Sequence, residues 1–429
     1  MVSALLLIGL LVAAFVGYNI GGSSTGVAFG PAVGSRILGK ATAAALFTVF
    51  ALGGGWTIGR NVITTMSSEI VPSSQFTPAA SVGVLFFAGA ALLISNLYGV
   101  PASTSMTAVG AIAGLGLATG TLREPVMFRI VSAWIIAPLT AFLVGMVIGR
   151  YLYPHLDARF AFTRLQNPLL QIDRSGAVPR PSFNERASRR DIVGSALVLV
   201  IACYMGFSAG ASNAANAVAP LVGTRSISVE QGILLAIGAI GLGGFTIARR
   251  TLATVGDGIT DLPILAALIV STIGATTITV LSQLGIPASL AVSTTCCIIG
   301  LGWGRASRAV TVAEAASAAL DPEVAQINDE AGPDLTTGAL MTDPSETGIP
   351  AGPTVGTLAS DESEQQVEAA RDTEEINVPP IGEEEIDELA AESLFDPAAT
   401  SRIVFLWVLT PTLSTIGAYL LFSIILESV

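Results

Sequence analysis

Two stretches rich in glycine and hydroxyl side chains interrupt long apolar segments and carry residue types that bind anions. Residues 17–26 read GYNIGGSSTG, and residues 206–216 read GFSAGASNAAN. If a membrane helix unwinds there, its free N–H groups and the positive end of its dipole favour an anion. The candidate residues are Gly21, Gly22, Ser23, Ser24 and Thr25, with Gly210, Ser212, Asn213 and Asn216. The alternative is a small-residue face along which helices pack closely.

A second pair of polar stretches follows a proline in each half of the chain. Pro101 precedes ASTSMT, and Pro287 precedes AS, with STT one turn later. Hydroxyls at these places can donate to oxyanion oxygens and accept from helix ends. The candidate residues are Ser103, Thr104 and Ser289. The alternative is that these side chains satisfy backbone carbonyls inside helices.

Charged and nucleophilic residues give weaker signals. Arg129 and Arg402 begin the last apolar segment of each half, where an arginine either pairs with an oxyanion or snorkels to the interface. The only histidine, His155, lies in a basic loop, and the three cysteines lie in apolar runs without zinc-ligand spacing. Because no Ser-His-Asp or Cys-His set can be assembled, the chain is predicted not to be an enzyme.

The elements that position these residues are membrane helices. The 429 residues are 52% hydrophobic and only 12% charged, about half the charged share of a soluble domain. One crossing needs about 20 apolar residues. We therefore predict an all-α polytopic membrane protein of about ten crossings, with broken helices or hairpins near the midplane. The uncharged runs are residues 1–35, 41–59, 70–122 and 130–149, then 192–224, 231–248, 262–304 and 403–426.

The order of run lengths occurs twice, and the repeat is also visible residue by residue. Residues 21–24, 99–103 and 129–131 align with residues 210–213, 285–289 and 402–404 at offsets of 189, 186 and 273. About five crossings per half is an odd number, so the two copies are predicted to have inverted topology. Residues 150–190 contain eight arginines and are placed in the cytoplasm by the positive-inside rule. Counting outward puts both termini outside the cell.

This organisation predicts five regions. Of the 32 acidic residues, 22 lie in the fourth region, which is predicted to be a solvated tail or, alternatively, a regulatory or docking loop. The regions are the first membrane repeat at 1–150, a basic cytoplasmic loop at 151–190, the first four segments of the second repeat at 191–304, an acidic, largely disordered cytoplasmic loop at 305–401, and the last membrane segment at 402–429.

The polar stretches resemble the signatures of the inorganic phosphate transporter (PiT) family. That family carries a GANDVAN-type motif in each of two inverted halves and a PVSTTH-type stretch before VGAI. Here residues 210–216 read GASNAAN, and residues 101–116 read PASTSMTAVGAIAGLG. The resemblance implies a transporter of inorganic phosphate in the cell membrane that works by alternating access. It also implies coupling to sodium or protons and a homodimer, while the bilayer is the other partner and no nucleic acid is expected.

The chain departs from the family at the signature carboxylates. The family's Asn-Asp pair is Ser23-Ser24 in the first half and Ser212-Asn213 in the second, and its closing Asn is Val27 in the first half and Asn216 in the second. A sodium site would have only neutral oxygens, so the coupling ion stays open between sodium and a proton. The substrate is predicted to be phosphate. The alternatives are another oxyanion such as sulfate, or a transporter-derived sensor that binds an anion without moving it.

Overall fold

The computed structural model describes residues 4–35, 37–97, 103–160, 170–173, 180–183, 189–248, 264–309 and 397–427. The first half contains the helices α1 (Ala4–Gly34), α2 (Lys40–Thr57), α3 (Gly59–Thr64), α4 (Pro78–Leu97), α5 (Thr104–Ala118), α6 (Glu124–Val147) and α7 (Tyr153–Phe160). Five-residue π turns, Thr65–Glu69 and Ile148–Leu152, continue α3 and α6.

The second half repeats this order after a short antiparallel hairpin. The hairpin pairs β1 (Leu170–Asp173) with β2 (Arg180–Phe183), so that Leu170 faces Phe183. The helices that follow are α8 (Arg189–Gly223), α9 (Val229–Thr246), α10 (Ile264–Gln283), α11 (Leu290–Ala306) and α12 (Pro397–Glu427).

The prediction of an all-α polytopic membrane protein is confirmed. In the described part of the chain, seven helices are long and apolar enough to cross a bilayer, and α2 with α3, bent by 62°, makes an eighth candidate. The helices α5 and α11 are apolar but shorter, at 15 and 17 residues. The predicted count of about ten is reached only when both short helices are included.

The helix breaks do not lie where the glycine-rich stretches predicted them. Residues 17–26 lie inside the continuous helix α1, and residues 206–216 lie inside the continuous helix α8, so the prediction of unwound backbone there is wrong. Helices end and begin again instead between α4 and α5, from Leu97 to Thr104, and between α10 and α11, from Gln283 to Leu290. In the second break, Gly285 takes φ +71° and the amide of Ile286 bonds the carbonyl of Leu281, which is a glycine-terminated helix end. Pro287 prevents the helix from resuming at once.

Close packing explains why the glycine-rich helices stay intact. A Cβ on Gly21 would collide with the carbonyl oxygen of Ile240 in α9, and one on Gly210 would collide with that of Ala51 in α2. The two contacted residues, Ala51 and Ile240, are separated by 189 positions, as are Gly21 and Gly210. Small residues let membrane helices approach to backbone contact, and the alternative of a packing face therefore describes these glycines.

Helix contacts also exchange between the two halves. The helix α1 packs on α9 while its counterpart α8 packs on α2, and α5 packs on α12 while its counterpart α11 packs on α6. Such reciprocal contacts are those of a pseudo-two-fold repeat. The direction in which each half enters the membrane stays a prediction, as does the placement of both termini.

The compact membrane unit comprises residues 1–306 and 390–429. A second unit comprises residues 307–389, of which the structure describes only the 3₁₀ turn Ser307–Ala309. Most of the predicted acidic loop, residues 310–396, therefore lies outside the described residues.

Candidate anion-binding site

The two short helices present their N-termini to one small cavity. Thr104 begins α5, and Leu290 begins α11 directly after Ser289. Thr104, Ser289 and Leu290 all line the cavity. The first-turn amides of a helix have no intrahelical acceptor, and its N-terminus carries roughly half a positive charge. Each of these helices begins three residues after a proline, Pro101 or Pro287, a residue that cannot donate a helical backbone hydrogen bond.

The wall opposite these N-termini comes from the glycine-rich helices. The cavity has a volume of about 20 Å³, which is room for about one water molecule. Five of its residues were predicted from sequence, and three were not. The predicted residues are Ser23, Ser24, Thr104, Asn213 and Ser289, and the others are Val27, Leu290 and Ala291.

Asn213 links the two halves at the cavity. Its Nδ2 donates to the Ser24 hydroxyl across 3.0 Å, and its Oδ1 accepts from the Thr104 hydroxyl across 2.7 Å. Ser24 and Asn213 are equivalent residues of the repeat, separated by 189 positions. The equivalent positions of the two signatures therefore meet in direct contact, and both side chains are buried.

A second layer of hydroxyls lies behind the cavity wall. Ser105 and Ser212 both donate to the carbonyl oxygen of Ala288, at 2.9 and 2.7 Å. Asn216 Nδ2 lies within 3.1 to 3.3 Å of the hydroxyls of Thr104 and Ser105 and of the Asn213 amide oxygen. Asn216 thus contacts two residues of the cavity wall, Thr104 and Asn213, whereas Ser212 bonds residues behind that wall, and neither lines the cavity itself.

Two buried polar atoms near the cavity have no hydrogen-bond partner. Ser103 is fully buried at the N-cap of α5, and its Oγ is unpaired. The Oδ1 of Asn216, in a side chain with 1% exposure, is also unpaired. An unpaired buried polar atom costs about 1–3 kcal/mol, and neither residue lines the cavity.

The remaining predicted site residues serve helix packing. Gly21 and Gly22 face Ile240 and Ile247. The Thr25 hydroxyl bonds the carbonyl of Gly21 within α1. Gly210 contacts α2. The structure brings none of these four residues to the cavity wall.

Of the two arginines that either pair with an oxyanion or snorkel to the interface, Arg129 does not line the cavity. Arg129 Nη2 lies 2.9 Å from Glu69 Oε2, and both side chains are more than a third exposed. A second ion pair joins Arg60 Nη1 to Glu230 Oε1 at 2.7 Å and links the two halves. The backbone of Arg402 lies in α12, and its side chain lies outside the described residues.

The sequence did not predict Val27, Leu290 or Ala291 at the cavity wall, or Ser105 behind it. Leu290 and Ala291 are the repeat equivalents of Thr104 and Ser105 at the offset of 186. Leu290 and Ala291 are apolar, so residue type alone gives no signal for them, and what they can offer an anion is the helix-terminal amides. Applying the repeat offset to Thr104 would have found them.

These features define a class: a polytopic membrane protein with a neutral, hydroxyl-lined cavity at the junction of two related halves. The profile of the phosphate transporter family matches residues 20–320. The chain belongs to that family.

Relatives with different substrates in their names match the chain. The sulfate permease CysP of Bacillus subtilis (strain 168) is 30% identical over 300 residues, which cover 70% of this chain and 77% of that protein. A putative phosphate permease of Haemophilus influenzae is 24% identical over 367 residues, covering 70% and 87%. The chloroplastic inorganic phosphate transporter 2-1 of Arabidopsis thaliana is 25% identical, covering 71% and 67%.

One solved structure shares the fold along the whole chain. It is a sodium-dependent phosphate transporter, with a TM-score of 0.64, 17% identity and coverage of 100% of both chains. At this identity the likeness shows the fold alone.

Proposed function

We propose that the chain is a secondary transporter that moves inorganic phosphate across the cell membrane by alternating access, coupled to a cation gradient. The observation that carries the proposal is the convergence of two helix N-termini on a cavity walled by hydroxyl and amide side chains of both halves. Such termini favour negative charge. Transporters of inverted-repeat construction place their substrate site at the interface of the repeats.

The small volume of the cavity supports a site whose walls must move apart before the anion binds. A volume of about 20 Å³ holds about one water and is too small for a tetrahedral oxyanion. Binding therefore requires the walls formed by α1 and α8 to separate from the N-termini of α5 and α11. In alternating access one bundle of helices rocks against the other around a fixed site, and that motion would open this cavity to one side at a time.

Sulfate is the second candidate substrate, and one feature of the site favours it. Phosphate carries a proton at neutral pH, and that proton needs an acceptor, whereas sulfate carries none. The cavity lining contains no carboxylate that would accept the proton. The sulfate permease among the relatives agrees with this alternative.

Uptake into proteoliposomes tests the proposal. Purified protein would be reconstituted, and the entry of labelled phosphate and of labelled sulfate would be followed with the other anion as competitor. We expect saturable phosphate uptake. Saturable uptake of sulfate alone would replace the substrate, whereas binding without flux would favour the anion sensor over the transporter.

A further inference from the structure

Ser24 and Asn213 close the space between the two signatures with a direct hydrogen bond. In the resemblance described above, these are the positions at which the family carries its signature aspartates. Here an amide N–H₂ group, a donor, points from Asn213 at the Ser24 oxygen across 3.0 Å. A cation at this place would need that donor replaced by an oxygen ligand.

Backbone carbonyls around the cavity are already engaged. Sodium sites in transporters typically use the carbonyls of unwound helices and the C-terminal ends of half-helices. Both signature stretches lie in continuous helices, so most of their carbonyls accept helical hydrogen bonds. The exceptions are at Asn216 and, one residue beyond the first stretch, Val27, because Pro220 and Pro31 have no N–H to donate to these carbonyls. The carbonyl of Ala288, in the break before α11, accepts from both Ser105 and Ser212.

The electrostatics of the cavity also oppose a cation. The two half-helices that meet there present their N-termini, each equivalent to roughly +0.5 charge. In the part of the chain that the structure describes, no Asp or Glu is among the buried side chains. The described residues also contain no group of three or more His, Cys, Asp or Glu side chains that would hold a metal. The unpaired Oδ1 of Asn216 is a single neutral oxygen.

We infer that this protein holds no sodium ion between its two signatures and that its transport is independent of sodium. The residues do not fit the cation that the name of the solved structural neighbour implies for that protein. This inference rests on the proposed transport function.

Direct binding of ²²Na⁺ to purified full-length protein tests the inference without requiring transport. We expect no saturable binding by the wild type up to about 100 mM sodium, a concentration at which even a millimolar site would be nearly full. The Ser24→Asp/Asn213→Asp variant places two carboxylates in contact and is expected to gain saturable binding at alkaline pH, where the two groups no longer share a proton and need a cation between them. Stoichiometric binding by the wild type would overturn the inference.

Uptake supplies the second measurement. In proteoliposomes, replacing sodium by choline on both sides should change the rate of phosphate or sulfate uptake by less than about twofold, well under 1 kcal/mol. A fall of about tenfold or more in choline, equivalent to about 1.4 kcal/mol, would overturn the inference. Absence of uptake of either anion in both salts would contradict the transport function instead, and the ²²Na⁺ result would still decide the question of sodium.

Discussion

At the scale of single residues, the site is built from neutral side chains that hydrogen-bond one another across the two halves. Thr104, Asn213 and Ser24 form a continuous chain of hydrogen bonds beside the cavity. Hydroxyls and amides can turn their donors toward a bound anion without leaving a buried charge behind when it departs. This property suits a site that must bind and release an anion in every transport cycle.

Removing the Thr104 hydroxyl is the sharpest test of the hydrogen bonds that join Thr104, Asn213 and Ser24. In Thr104→Ala, the Asn213 oxygen loses a donor and Asn216 loses an acceptor. We expect uptake per folded protein to fall about tenfold, since the bound anion would lose the Thr104 hydroxyl donor and a hydrogen bond to a charged group contributes about 1.5–3 kcal/mol. The measurement is initial uptake at equal amounts of reconstituted protein.

The matched control for that change is Thr412→Ala. Thr412 lies on an exposed face of α12, and its hydroxyl bonds only the carbonyl of Val408, within its own helix. Uptake by this variant should equal that of the wild type. An equal loss in both variants, or no loss in Thr104→Ala, would remove Thr104 from the site.

At the scale of helices, the sequence predicts the composition of the site better than its backbone. Ser23, Ser24 and Asn213 were predicted from their residue types, and all three line the cavity. The unwinding predicted around them was wrong, because a glycine in a membrane helix serves equally as a break or as a contact point. The choice depends on whether another backbone comes close, as Ile240 does to Gly21, and that contact is not visible in a local sequence.

The breaks that do occur have a stronger local cause. A proline precedes both α5 and α11, and in each case a glycine stands two residues before it, Gly285 with φ +71° in the second break. Proline alone does not break the helices here, since Pro31, Pro138, Pro220 and Pro411 lie inside α1, α6, α8 and α12. Pro287 lies in the described part of the chain, whereas Pro101 lies outside it. The Gly-x-Pro sequences at residues 99–101 and 285–287, rather than proline alone, therefore accompany these helix starts.

Two glycines of α9 differ in their surroundings: Gly243 packs against α1, whereas Gly238 faces open space. A Cβ on Gly243 would collide with the carbonyl of Tyr18 in α1, whereas one on Gly238 would meet open space. We expect Gly243→Ala to destabilise the protein by about 1–3 kcal/mol through overpacking. Gly238→Ala should be neutral or stabilising by up to about 1 kcal/mol, because alanine has the higher helix propensity.

Thermal unfolding of the two variants in detergent measures this difference. The account requires a lower Tm for Gly243→Ala and an unchanged or higher Tm for Gly238→Ala. Equal shifts in the two variants would mean that α9 does not contact α1 through Gly243.

At the scale of the whole molecule, the repeat was readable from the sequence because its offsets of 189, 186 and 273 occur in order along the chain. The reciprocal contacts of α1 with α9 and of α8 with α2 agree with it. The relative direction of the halves depends on the membrane, and contacts between helices do not define it. The charge distribution predicts inversion, and a topology experiment can test that prediction.

Two equivalent loops provide the topology test. Gly39 follows α1, Ser226 follows its counterpart α8, and both residues are exposed. In a variant without the three native cysteines, Gly39→Cys should react with an impermeant maleimide only from the cytoplasm, and Ser226→Cys only from outside. Labelling of both from the same face would contradict inverted topology.

The central claim is that an oxyanion binds where the N-termini of α5 and α11 meet the Ser24 and Asn213 side chains. Anomalous scattering from crystals grown with arsenate or selenate, which replace phosphate or sulfate, tests this claim most directly. We expect an anomalous peak beside Thr104 and Ser289, at a distance that places the oxygens of the anion within hydrogen-bonding distance of both residues. A peak beside Arg60 or Arg129, with none at the junction of the two short helices, would contradict it.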